Sequence, residues 1–87
     1  GMAEYIRAHF AEGSSVFIAC GVGNNGADGI VLARQLYGAY DVALHVPFGV
    51  KSPMAKLQLE RAKRLGIVLC DEVKDADVIV DALFGAG

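Results

Sequence analysis

Ser15-Val16-Phe17-Ile18-Ala19-Cys20-Gly21-Val22-Gly23-Asn24-Asn25-Gly26-Ala27-Asp28-Gly29 is the stretch on which the fold turns. Its first six residues form a short, continuous apolar run, the mark of a strand buried on both faces. Residues 21–26 are rich in glycine. From Asp28 to Tyr37 the residues Ile30, Leu32, Ala33 and Leu36 then recur at helical spacing, and Gly38 closes the segment. Strand, glycine turn and helix therefore follow one another directly.

Outward from that unit the alternation continues. Ala3 to Glu12 reads as a helix, with Met2, Ile6 and Phe10 four apart on one stripe and Gly13 as its stop. Asp41 to Val46 reads as a strand. Ser52 before Pro53 is a cap followed by proline at the first helical position, so a helix is expected from Pro53 to Leu65, ended by Gly66. Ile67 to Leu69 is a short strand and Asp77 to Leu83 a longer one. The strand-like runs are too apolar for a solvated face, and the order points to an α/β fold with a mostly parallel, doubly wound sheet covered by helices. Four strands are few for it, so residues 1–87 are expected to be part of a larger domain, with exposed sheet edges that favour self-association.

Composition narrows the function classes. The 87 residues are 54% hydrophobic and 21% charged, with a net charge of −2; mean hydropathy is +0.41 and the pI about 5.5. A disordered chain needs the opposite balance. An acidic chain without a basic stripe argues against a nucleic-acid partner, and no apolar run approaches the ~20 residues of a membrane span. Cys20 and Cys70 are too few for a disulfide framework and lack metal-binding spacing, so they read as small buried hydrophobes in a soluble, cytoplasmic protein.

Gly21-Val22-Gly23-Asn24-Asn25-Gly26 satisfies G-x-G-x-x-G between a strand and a helix. Glycines let the backbone turn sharply and approach a ligand, while a helix N-terminus offers amide groups to an anion. A tight turn without a ligand is the plainer reading. A conventional nicotinamide oxidoreductase would carry an acid at the end of the second strand to hold a ribose hydroxyl. That strand ends Val46-Pro47-Phe48, and Asp41 sits at its beginning. Asp28, expected in the first turn of the helix, would also repel a pyrophosphate there. Asn24 and Asn25 suit turn chemistry, and their amides also suit a hard cation or a ligand hydroxyl.

Asp81 ends the last apolar run, where a buried carboxylate needs a partner. It reads either as a turn-stabilising side chain or as a site acid or cation ligand at the carboxyl edge of the sheet. Gly85-Ala86-Gly87 reads as a second phosphate-facing loop or as loop filler. His45 is expected to be a hydrogen-bonded structural imidazole, and His9 to face solvent. Lys56, Arg61, Lys63 and Arg64 read as a solvated helix face, and Asp71, Glu72 and Asp75 as a surface turn.

Residues 21–29 followed by Ala33-Arg34, together with Asp77-Val78-Ile79-Val80-Asp81-Ala82-Leu83-Phe84-Gly85, closely resemble the NAD(P)H-hydrate epimerase family, also called the YjeF N-terminal domain. The resemblance implies a Rossmann-like three-layer αβα fold. It implies epimerisation of the R and S forms of hydrated NADH and NADPH (NADHX and NADPHX) at C6 of the nicotinamide, a repair step that feeds an S-specific dehydratase, fused or separate. It further implies a bound potassium ion; a homodimer is one of the assemblies left open. Carried onto this chain, Asn24, Asn25, Gly26, Ala27 and Asp28 would line the substrate site, Asn25 and Asp81 would ligate potassium, and Gly85, Ala86 and Gly87 would begin a second nucleotide-contacting loop. Ala27 stands where the family usually has glycine; its methyl is tolerable if that residue is right-handed helical and obstructive if the ligand approaches closely. The Asp-Ile-Pro-Ser-Gly stretch that follows in the family lies outside these 87 residues, so only part of the site is expected here and the isolated chain is expected to be inactive. Scaffold proteins of messenger-RNA decapping carry the same domain as a non-catalytic, nucleotide-binding or dimerising module, and that is the competing reading.

Overall fold

A computed structural model describes residues 1–83. Its elements are α1 (Met2–His9), β1 (Ser15–Cys20), α2 (Asn24–Leu36), β2 (Asp41–His45), α3 (Pro53–Leu65), β3 (Val68–Leu69) and β4 (Val78–Ala82). The four strands form one sheet in the order β3-β2-β1-β4, and every pairing is parallel. The chain thus runs outward from β1 on one side through β2 and β3, then crosses back to lay β4 on the other side. This is the order of a doubly wound sheet, and its switch point falls between β1 and β4.

One face of the sheet carries the core. Val16, Ile18 and Cys20 of β1 and Val42 and Leu44 of β2 pack with Ala3 and Ile6 of α1, Ile30, Leu32, Ala33 and Leu36 of α2, and Ala62 of α3. Their alternation follows from the two-residue period of a strand. Phe17, Ala19, His45 and Ile79, on alternate positions, stand outside that core. The described residues therefore supply the sheet and one helical layer of the expected three-layer arrangement. The 70–77 connection passes by the opposite face, where Lys74, Asp75 and Ala76 line a cavity of about 140 Å³ with Phe17, Ala43 and Val68.

Several local expectations hold for visible reasons. Ser52 Oγ accepts from the Ala55 amide at 3.0 Å and caps α3, Pro53 opens the helix, and Gly66 closes it in the left-handed region at φ 92°. Gly38 turns at φ 93° after α2. Lys56, Arg61, Lys63 and Arg64 are exposed, as are Asp71, Glu72 and Asp75. Arg34 spans the α2–α3 interface, its Nη1 donating to the buried Gln58 Oε1 at 2.6 Å.

Others are corrected. Of the expected stripe, Ile6 is buried and Phe10, just past the end of α1, packs against the core, while Met2 is exposed and Ala3 takes its place in the core. β1 is buried on both faces, but β4 is not: Val78 and Val80 are half-buried, while Ile79 and Asp81 are exposed. Both residues of β3 are exposed as well. These two strands are the outermost of the described sheet, and their apolar side chains are the ones left exposed. Cys20 is buried, whereas Cys70 is only half-buried.

Candidate functional site

The strand-to-helix turn is shorter than its composition suggests. β1 ends at Cys20 and α2 begins at Asn24, with Gly23 as the extended N-cap residue, so the turn proper is Gly21-Val22-Gly23. Three glycines in this corner are required by packing. The Gly21 amide donates to the Ala82 carbonyl at 2.9 Å, and a Cβ on Gly21 would strike the Leu83 carbonyl. A Cβ on Gly26 would strike the Gly21 carbonyl. A Cβ on Gly29 would come within 2.9 Å of both the Ala82 methyl and the Cys20 sulfur. Helix α2 is thereby drawn tightly against the ends of β1 and β4. Gly23 differs, since a Cβ there would meet no atom of the described residues within 4 Å. It borders open space beside the amide groups of the first turn of α2, and among the described residues its own position supplies no side-chain cap.

Because α2 starts at Asn24, the sequence-predicted site residues fall differently from expectation. Asn24, Asn25 and Gly26 belong to the first helical turn, with Asn24 exposed, Asn25 half-buried and Gly26 buried. Ala27 is right-handed helical and buried, its amide bonded to the Gly23 carbonyl at 3.0 Å, so its methyl costs the backbone nothing. Asp28 is the fifth helical residue, not a member of the first turn, and is exposed beside α1, where it shares a groove with Glu4 and Arg7. The repulsion expected between its carboxylate and an anion on the helix end loses its geometric basis.

Asp81 is likewise not buried. It is exposed near the carboxyl end of β4, and its Oδ1 accepts from the Leu83 amide at 3.0 Å. The turn-stabilising role is therefore present, and the apolar run around Asp81 reflects the half-buried alternation of β4. Register pairs Ala19 with Asp81 on one side and with His45 on the other. The three side chains thus stand in one row across the carboxyl ends of the strands, acid and imidazole flanking a methyl. His45 holds its ring as a structural histidine does, with Nδ1 2.8 Å from the Cys70 carbonyl and the ring stacked on Phe17. A carbonyl only accepts, so Nδ1 carries the proton of that bond. His9 is exposed, as expected, yet stacks on Tyr5 and lies 2.8 Å from the Tyr5 carbonyl.

Beneath the turn, burial in the apolar core pushes the Cys20 thiol up to about 12, which makes it inert at neutral pH. Gly85, Ala86 and Gly87 lie outside the described residues. Among the described residues no three of His, Cys, Asp and Glu cluster as a metal site would require, and no helix is long and apolar enough to cross a membrane.

The loop from β2 to α3 is the element that sequence reasoning missed. The Val22 carbonyl, at the middle of the glycine turn, accepts from the Lys51 amide at 2.9 Å and from the Ser52 amide at 3.4 Å. These bonds strap residues 46–52 onto the turn. Phe48 leaves 67% of its surface exposed on the same loop. Nothing in the spacing of Lys51 marks it, because its position depends on a contact between segments almost thirty residues apart.

The chain matches the family of YjeF-related protein N-termini over residues 1–87. It is 44% identical over 92 residues to a protein of Weissella koreensis named NAD(P)H-hydrate epimerase, covering 97% of this chain and 41% of that one. It is 39% identical over 90 residues to the bifunctional NAD(P)H-hydrate repair enzyme Nnr of Archaeoglobus fulgidus, covering 100% of this chain and 19% of that one. The corresponding protein of Helicobacter pylori is 38% identical over 81 residues, covering 85% and 17% respectively. Among solved structures, the yeast protein YNL200c superposes with a TM-score of 0.80 at 24% identity over 95% of this chain and 42% of its own. That likeness bears on the fold alone. The chain spans less than half the length of each of these relatives.

Proposed function

The chain belongs to the family of YjeF-related protein N-termini, and we propose on that footing that the protein interconverts the R and S forms of hydrated NADH and NADPH. The observation that carries the reading is the open Gly23 beside the first turn of α2, at the switch point between β1 and β4. Ligands of doubly wound sheets bind at that crevice, and relatives named as NAD(P)H-hydrate epimerases share this stretch of chain.

In this reading the amide groups at the start of α2 receive the pyrophosphate, with Asn24 and Asn25 supplying side-chain amides to the ligand around it. Gly85, Ala86 and Gly87 are proposed as further nucleotide contacts. Potassium fits the donors on offer. Asp81 is an exposed carboxylate whose Oδ1 serves the Leu83 amide and whose second oxygen has no donor among the described residues. Asn25 contributes a hard amide oxygen. The ion would supply positive charge beside an anionic substrate. The contribution of these residues is to bind the hydrate and set which face of the ring is presented. The S form then passes to a dehydratase, fused as in the bifunctional relatives or separate, and the protein acts as a homodimer.

The test gives the full-length protein mixed R and S hydrates with an S-specific dehydratase, once in potassium and once in sodium, and follows NADPH recovery. Complete, potassium-dependent recovery is expected, with Asp81→Ala slowing it. Consumption of the R form no faster than without protein would sink the reading in favour of a non-catalytic scaffold.

A further inference from the structure

The β2–α3 loop carries an inference that rests on the epimerase reading and extends it. In a sheet of this order, a dinucleotide with its pyrophosphate on the first strand-to-helix turn lays its adenosine ribose over the end of the neighbouring strand, here β2. What stands there decides which cofactor is accepted. A carboxylate takes the ribose hydroxyls and repels a 2′-phosphate, whereas a cation with no acid beside it does the reverse.

Residues 46–52, Val46-Pro47-Phe48-Gly49-Val50-Lys51-Ser52, contain no acid and one cation. The acid of β2, Asp41, stands at the opposite end of the strand, paired in register with Ser15. The next acids along the carboxyl edge, Asp71 and Glu72, follow β3, one strand further from the turn. Lys51 is exposed, and no carboxylate of the described residues pairs with it. Its amide is bonded to the Val22 carbonyl at 2.9 Å, which fixes the base of this flexible cation against the glycine turn. Phe48 leaves a large aromatic ring in water on the same loop, a surface suited to the face of a purine. We infer that this loop holds the adenosine half of the substrate and that Lys51 reads a 2′-phosphate, so that hydrated NADPH is taken in preference to hydrated NADH.

The first measurement is kcat/KM of the full-length protein for the two hydrates, in wild type and in Lys51→Gln. The wild type is expected to favour the 2′-phosphorylated hydrate about tenfold, the scale of one solvent-accessible charge-assisted contact. Lys51→Gln is expected to remove most of that ratio. Equal values for the two hydrates in the wild type, or a variant that loses both in proportion, overturns the inference. If neither hydrate turns over, the epimerase reading has failed, and binding then decides the inference by itself. Adenosine 2′,5′-bisphosphate is expected to bind about tenfold more tightly than 5′-AMP in wild type and equally in Lys51→Gln. Equal wild-type affinities would overturn it.

Discussion

At the scale of single residues, the glycines of the switch-point corner divide into those whose Cβ the packing forbids and one, Gly23, whose Cβ would meet no described atom. Gly26→Ala sets a methyl against the Gly21 carbonyl, backbone against which nothing can rotate away. A loss of about 1–3 kcal/mol in unfolding free energy is expected, read from urea denaturation. Gly23→Ser reverses the pattern. Gly23 is an N-cap residue with extended backbone at φ −102°, and serine is a better cap than glycine. The melting temperature is expected to hold or rise while affinity for an adenine dinucleotide falls, because the side chain occupies the open space. An unchanged affinity would remove Gly23 from the site. Cys20 gives a pH prediction of definite sign. Its folded value, about 12, lies above the 9.0 of a free thiol, so the unfolded chain loses that proton first. The stability associated with the buried thiol is complete below pH 9 and is lost as pH rises toward 12, by about 1.4 kcal/mol per pH unit. Denaturant titrations of wild type and Cys20→Ala across that range should diverge by this slope; parallel curves would contradict it.

Between elements, the amino end of the sheet is held by a reciprocal lock that no periodicity reveals. Asp77 Oδ2 accepts from the Ser15 amide at 2.9 Å and from Ser15 Oγ at 3.1 Å, and the Asp77 amide donates back to Ser15 Oγ at 2.8 Å. The two residues are 62 apart in the chain, and β4 has no helix to lead it to its place. Asp77→Ala is expected to cost about 1–2 kcal/mol, and Asp77→Asn less, because an amide oxygen still accepts from the Ser15 amide. Equal losses in the two variants, measured by chemical denaturation, would show that the lock contributes nothing specific. The same scale explains why α2 begins four residues before its sequence signal. Asn24-Asn25-Gly26 has the composition of a turn, and intrinsic propensity disfavours helix there. Contact between Gly26 and the Gly21 backbone accommodates only a glycine, so the residue that weakens the helix is the one the packing demands.

For the whole molecule, the order β3-β2-β1-β4 leaves apolar side chains in water at both margins: Val68 and Leu69 on β3, and Ile79 on β4. Paired strands with unpaired outer edges and apolar side chains associate. The 87-residue chain is expected to show concentration-dependent association in sedimentation velocity, reduced by Ile79→Lys; identical profiles for the two would exclude that margin. The features legible from residue order alone were local and periodic. The apolar run of β1, the stripe of α2, the Ser52-Pro53 start and Gly66 stop of α3, and the paired motifs around residues 21–29 and 77–85 can each be read within a dozen residues, because caps, glycine stops and burial patterns are short-range physics. The exposure of Asp81, the displacement of Asp28 from the helix end, the Ser15–Asp77 lock and the seating of Lys51 on Val22 were decided only by the tertiary structure. Each depends on which strand lies beside which, and a parallel sheet brings together residues whose separation in the chain no local pattern encodes.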